Sequence, residues 1–149
     1  MSEGVSWTPH LKLRGGCVRK IRNVIFDLGN VLLKFNPDEY LTTLFDDAEL
    51  ITRVHKAVFT SPEWYMLDRG VITQDQAVRR LVRQYPDLGA AITLTFEHWM
   101  SMLKPFSANV EVVRSLKKTG YDLYVLSNFH KAAFEYVYSR YEWFSLFDG

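Results

Sequence analysis

Cysteine is nearly absent: Cys17 stands alone in 149 residues, so no internal disulfide can form, and a reducing, cytoplasmic home is the default expectation. No apolar run reaches the length of a membrane span, which argues against a membrane protein. Residues 1–20 contain Gly4, Pro9, Gly15 and Gly16 with Arg14, Arg19 and Lys20, but no apolar stretch of the kind a secretory signal needs. They read as a mobile N-terminal arm, in which the alternating His10–Arg14 could pair as an edge strand. An excess of either charge is also lacking. Lys and Arg number 18 and Asp and Glu 17, a net charge of +1, which removes the electrostatic case for binding nucleic acid or an acidic membrane surface. Internal repeats and low-complexity segments are missing as well. What the chain does have is 48% hydrophobic and 15% aromatic residues, enough to bury a core and to fit one domain with a sizeable insert.

The apolar run Asn23–Leu33 is broken by a single acid and a turn. Val24, Ile25 and Phe26 are β-branched or aromatic, as expected of a short strand buried on both faces of a parallel sheet. Gly29-Asn30 is a turn pair, so Asp27 is expected at the strand's carboxyl end, where open α/β sheets place their ligand crevice. A carboxylate there is either a nucleophile or metal ligand, or a turn Asp capping nearby amides.

A second stretch of the same design favours the first reading. Tyr121–Leu126 is another strand candidate, preceded by the turn residue Gly120 and ending in Ser127-Asn128, a hydroxyl and an amide. Two strands would then end in polar groups on one rim, joined by a helical crossover as a parallel pair requires.

Helix signals fill the crossover. Asn36-Pro37-Asp38-Glu39 reads as an N-cap, a first-turn proline and a capping-box acid, predicting a helix from Pro37 to about Phe45. Apolar residues at helical spacing predict a second helix over Ala48–Val58. A short third one opens at Ser61-Pro62 and ends at Arg69-Gly70. Thr73–Gln76 is another capping box, before a helix whose Arg79, Arg80 and Arg83 read as a solvated face. Ala90–Leu103 follows as a helical stretch whose Phe96, Trp99 and Met100 read as core. Beyond the break at Lys104-Pro105, Ser107 is expected to cap a helix over Ala108–Lys118, with Val110, Val113 and Leu116 inward. The last helix is expected over Ala132–Tyr141, with Phe134, Val137 and Tyr138 inward. His55, His98 and His130 read as surface or packing residues.

Phe26-Asp27-Leu28-Gly29-Asn30-Val31-Leu32, Leu126-Ser127-Asn128 and the helical insert between them resemble the haloacid dehalogenase-like (HAD) hydrolases. Among these, the Asp-Leu-Gly-Asn motif is similar to that of a sugar-phosphate phosphatase subgroup. The resemblance covers residues 22–149. It implies an α/β fold: an incomplete Rossmann-like core of two strands (21–36 and 104–149) carrying an inserted α-helical cap (37–103). It also implies magnesium-dependent hydrolysis of a small phosphorylated metabolite, a phosphoric monoester, through an aspartyl-phosphate on Asp27. Asp27 and the Gly29 carbonyl would hold the magnesium, and the amides of Leu28, Gly29 and Asn30 with Ser127 and Asn128 would hold the phosphate oxygens.

Two departures stand out. The family's acid–base residue, two positions after the nucleophile, is Gly29 here, and its later lysine and acidic metal ligands have no counterpart. The sequence stops at Phe147–Gly149, where a third strand would begin, so it reads as a truncated, inactive N-terminal portion. Two strands alone leave both sheet edges open, which predicts self-association or a partner chain. The alternatives to a phosphatase are a non-catalytic binding or regulatory pseudoenzyme, and a metal-independent 2-haloacid dehalogenase.

Overall fold

The computed structural model describes residues 21–149. The expected arm and edge strand within 1–20 lie outside the described residues. Strand β1 (Asn23–Phe26) pairs in parallel with β2 (Asp122–Val125), Val24 opposite Leu123 and Phe26 opposite Val125. Between them run α1 (Pro37–Leu41), α2 (Ala48–Phe59), α3 (Pro62–Asp68), α4 (Gln74–Gln84), α5 (Gly89–His98) and α6 (Ser107–Lys118), and α7 (Lys131–Arg140) follows β2. Short 3-10 turns cover Pro86–Leu88, Trp99–Met102 and Glu142–Leu146.

The helix starts follow their caps. Asn36 accepts from Glu39 N–H, Asp47 from Glu49 and Leu50, and Ser61 from Trp64, and Thr73 with Gln76 forms a reciprocal capping box. Gly70 (φ 68°) and Gly120 (φ 85°) close α3 and α6 in the left-handed conformation that glycine adopts without a Cβ clash. In both cases the next residue's N–H, of Val71 or Tyr121, reaches back to the carbonyl of Met66 or Leu116.

Four local expectations are corrected. Helix α1 ends at Leu41 rather than near Phe45, because Thr42 and Thr43 turn their hydroxyls back onto the carbonyls of Glu39 and Tyr40 and the chain continues in tighter turns. Ser107 is the first residue of α6 and makes no side-chain cap, with Phe106 in the capping position. The stretch predicted over Ala90–Leu103 divides into α5 and a 3-10 turn at Trp99. In α7 the inward pair is Ala133 and Val137, one turn apart, while Phe134 and Tyr138 lie outside against Phe144, with ring centroids 5.8 and 5.5 Å from it. The arginines of α4 are exposed, as their spacing predicted.

The insert is held together by aromatic packing. Trp64, 4% exposed, lies 4.7 Å from Phe59, 5.1 Å from Trp99 and 5.9 Å from Phe96, centroid to centroid. Trp99 Nε1 donates to Gln74 Oε1. The insert joins the sheet through a paired neck, in which Lys34 N–H donates to Lys104 O (2.8 Å) and Phe106 N–H to Leu32 O (2.9 Å).

The sheet departs from expectation in two ways. On the face shared by Val24, Phe26 and Leu123 it packs onto the core, but Ile25 is 62% and Leu126 74% exposed on the other, so burial on both faces is not found among the described residues. Of the two edges expected to be open, the outer edge of β2 is occupied in part by the chain itself. Asp148 N–H donates to Leu123 O (2.7 Å), Val125 N–H to Gly149 O (2.8 Å), and Leu123 N–H to the Asp148 carboxylate (2.8 Å). Lys117 Nζ also binds that carboxylate, and its hydrogen bond, followed by that of Leu123 N–H, holds Asp148 below the usual carboxylate range.

Candidate functional site

Register fixes the relation of the two motifs. Phe26 pairs with Val125, and Leu126 N–H donates to Phe26 O (2.9 Å), so Asp27 and Ser127 leave adjacent strands at the same carboxyl edge. Asp27 is exposed, and its Oδ1 accepts from Leu28 N–H at 2.7 Å.

Beyond Asp27 the chain turns sharply. The carbonyl of Leu28 accepts the N–H groups of Val31, Leu32 and Leu33, while Asn30 takes a left-handed conformation (φ 54°). Asparagine tolerates this better than other residues with a side chain. Asn30 N–H donates to Leu33 O, and its Oδ1 accepts from Phe35 N–H at 3.0 Å. Leu28 itself is 1% exposed, a core residue whose backbone alone faces the loop.

This wiring limits the amide cradle expected over Leu28–Asn30. Two of its three N–H groups are used within the loop, by Asp27 and by Leu33, which leaves Gly29 N–H without an acceptor among the described residues. The carbonyl of Gly29 and Oδ2 of Asp27 accept no hydrogen bond there either.

A cavity of about 160 Å³ collects part of the predicted set. Gly29, Asn30 and Asn128 line it, whereas Asp27, Leu28 and Ser127 do not. Its other walls come from Phe35 at the neck, Trp64 and Asp68 of α3, and His130 before α7.

Composition and spacing pointed to none of these walls as site residues. Asp68 is the last residue of a helix called from its cap, and nothing in its neighbours marks it as facing a cavity. Burial raises its carboxyl pKa above the ordinary value. His130 is buried against Trp99, at 5.9 Å between ring centroids, so it packs as expected while also facing the cavity. Burial lowers its pKa, with Glu135 opposing the shift, and its Nδ1 has no hydrogen-bond partner among the described residues. A buried, unpartnered imidazole nitrogen beside a cavity can exchange a hydrogen bond with a bound molecule at little cost to the fold.

The donors present suit a hard cation. Asp27 Oδ2 and Gly29 O are unclaimed oxygens on one loop, and magnesium is commonly held by one or two carboxylates with water and substrate phosphate completing its shell. Among the described residues no three His, Cys, Asp or Glu side chains cluster as a metal site, so protein ligands alone would not complete that shell.

Over 126 residues the chain is 29% identical to the sesquiterpene phosphatase astK of Aspergillus oryzae, covering 84% of this chain and 60% of that protein. Its fold matches the HAD-hydrolase YfnB of Bacillus subtilis, solved bound to magnesium, with a TM-score of 0.58 at 15% identity, covering 87% of this chain and 64% of that one. The chain has the fold of a haloacid dehalogenase-like hydrolase. It spans less than two thirds of the length of either protein, and no family model matches it. The two-strand sheet and helical insert are an α/β arrangement shared with YfnB. No helix among the described residues is long and apolar enough to cross a membrane.

Proposed function

We propose that the chain carries the nucleophile portion of a magnesium-dependent phosphatase site acting on small phosphorylated metabolites. The observation that supports this best is the register that brings Asp27 and Ser127 off neighbouring strands at one edge, beside a cavity lined by Gly29, Asn30 and Asn128. Asp27 attacks phosphorus and forms an aspartyl-phosphate, while the ester oxygen leaves and takes a proton. Water then attacks the acyl-phosphate and gives up a proton, releasing phosphate and restoring Asp27.

Gly29 cannot handle these protons. Asp68, the sole carboxylate among the described residues that line the cavity, takes that part, and a carboxyl raised by burial suits a group that must both give and accept a proton. Gly29 N–H, the Ser127 hydroxyl and the Asn128 amide donate to the non-bridging oxygens. Magnesium, held by Asp27 and Gly29 O, would supply charge neutralisation.

The walls bear on the substrate. Phe35, Trp64, Trp99, Leu103 and Phe129 are apolar, so the ester favoured is that of an apolar alcohol over a sugar, in keeping with the sesquiterpene phosphatase that the chain resembles. The lysine and later acids of the family pattern have no counterpart in the 149 residues, and turnover by these residues alone is expected to be weak. Phosphate release from a panel of isoprenoid and sugar monophosphates, with and without magnesium, tests the reading. Asp27→Asn should abolish release and Asp68→Asn should slow it about 100-fold or more. Turnover retained by Asp27→Asn would sink the proposal.

A second reading, a non-catalytic binding protein, draws support from Gly29 standing where the family pattern has its acid–base residue and from the internal use of the Leu28 and Asn30 amides. Metal-independent release of halide from 2-haloacids would instead favour the dehalogenase alternative.

A further inference from the structure

The neck that carries the insert has two sides. Its segments are extended and paired, so successive side chains point in opposite directions. Phe35 and Leu103 line the cavity beside Asn30, whereas Lys34 and Lys104 line a second, larger cleft of about 440 Å³ that shares no residue with the first. We infer that this second cleft binds a small organic dianion, a phosphonate- or phosphate-bearing molecule or a dicarboxylate, distinct from whatever occupies the Asp27 side.

Charge supports that ligand class. Lys34, Lys104 and Arg140 line the cleft against one carboxylate, Glu39, which lies 3.6 Å from Lys34 Nζ. Three cations less one acid leave two positive charges uncompensated in the lining. Lys104 and Arg140 have no carboxylate partner among the described residues. A chain whose total charge is only +1 does not produce such a local excess by composition alone. Two unpaired cations call for a divalent anion.

Shape and the apolar wall support an organic body on that anion. The volume lies within the range of about 300–1,000 Å³ usual for small-molecule sites. Arg140 is already positioned, its guanidinium carbon 5.6 Å from the centre of the Tyr136 ring, which lowers the ordering cost of using it. Tyr141 is held by a hydrogen bond from its hydroxyl to Leu103 O (2.9 Å) and by stacking on Trp143 at an interplanar angle of 14°. With Tyr136 and Met102 it forms a wall that a bare inorganic ion would leave unused.

Position gives the site a consequence. Arg140 belongs to α7, while Lys34 and Lys104 sit on the neck, so one ligand would tie the neck to α7 from the side opposite the cavity lined by Phe35 and Leu103. The inference does not depend on the chemistry at Asp27.

Calorimetric titration with phenylphosphonate and with succinate at pH 8 tests it, with amide chemical shifts mapping the location. Saturable binding of at least one is expected, with the largest shifts around Lys104 and Arg140, and which of the two binds decides between the phosphate and dicarboxylate types. Combining Lys104→Gln with Arg140→Gln should weaken binding roughly tenfold or more, and Asp27→Asn should leave it unchanged. Both altered side chains are exposed, and an unchanged melting temperature checks that the fold survives. Lys104→Gln alone serves if the double variant melts early, and it should weaken binding in the same direction. No saturable binding of either anion, equal binding by the variants, or binding lost in Asp27→Asn would overturn the inference.

Discussion

Replacing Asn30 by alanine is expected to lower stability by about 2 kcal/mol, from two separable sources. The first is backbone conformation: φ is 54°, and a residue with a Cβ but no compensating polar group is disfavoured there by roughly 1 kcal/mol or more. The second is the hydrogen bond from Phe35 N–H to Asn30 Oδ1 at 3.0 Å, a net contribution of about 1 kcal/mol. Glycine removes the first cost and keeps the second, so Asn30→Gly should lose about 1 kcal/mol. Aspartate keeps an acceptor and should lose least. Thermal unfolding by circular dichroism reads these directly, since 2 kcal/mol in a chain of this size lowers the melting temperature by about 4–8 °C. An alanine variant as stable as wild type, or a glycine variant less stable than alanine, would refute the account of how the loop after Asp27 is held.

Trp64→Ala should cost about 3–5 kcal/mol, because Trp64 touches Phe35, Phe59, Phe96 and Trp99 at once, and a loss under about 1 kcal/mol in urea unfolding would mean that the cluster does not hold the insert. For Asp148 the folded pKa is lowered, so its contribution is complete above the ordinary carboxylate pKa and is lost as pH falls through the lowered folded value. Melting temperature followed from neutral to acid pH should therefore fall more steeply for wild type than for Asp148→Asn, and coincident slopes would contradict the Lys117–Asp148–Leu123 arrangement.

Much of this architecture was legible because the signals are local. Caps at Asn36, Asp47, Ser61 and Thr73 announce helix starts through a hydrogen bond within three residues, and Gly70 and Gly120 announce ends through their φ. The parallel pairing followed from two apolar strands separated by helices. Failures came where distant packing decides. Phe134 and Tyr138 look like core residues by hydrophobicity, yet Ala133 and Val137 are the side chains small enough to let α7 approach. Ile25 belongs to a run that reads as doubly buried, and only the three-dimensional sheet shows one face uncovered among the described residues. Asp27 and Ser127 were legible as neighbouring strand ends, and of the residues expected around them Gly29, Asn30 and Asn128 line the cavity. Asp68 and the aromatic walls were not, since they reach the cavity from an insert whose placement on the sheet no spacing encodes.

Covalent trapping shows whether Asp27 is a nucleophile toward phosphorus. The protein is incubated with magnesium and an activated phosphate donor, quenched in acid, and weighed by intact mass spectrometry with peptide mapping. The protein should gain one phosphoryl group, located on the peptide containing Asp27 and absent from Asp27→Asn. A phosphoryl group carried equally by the variant, or found only on a peptide without Asp27, would contradict it.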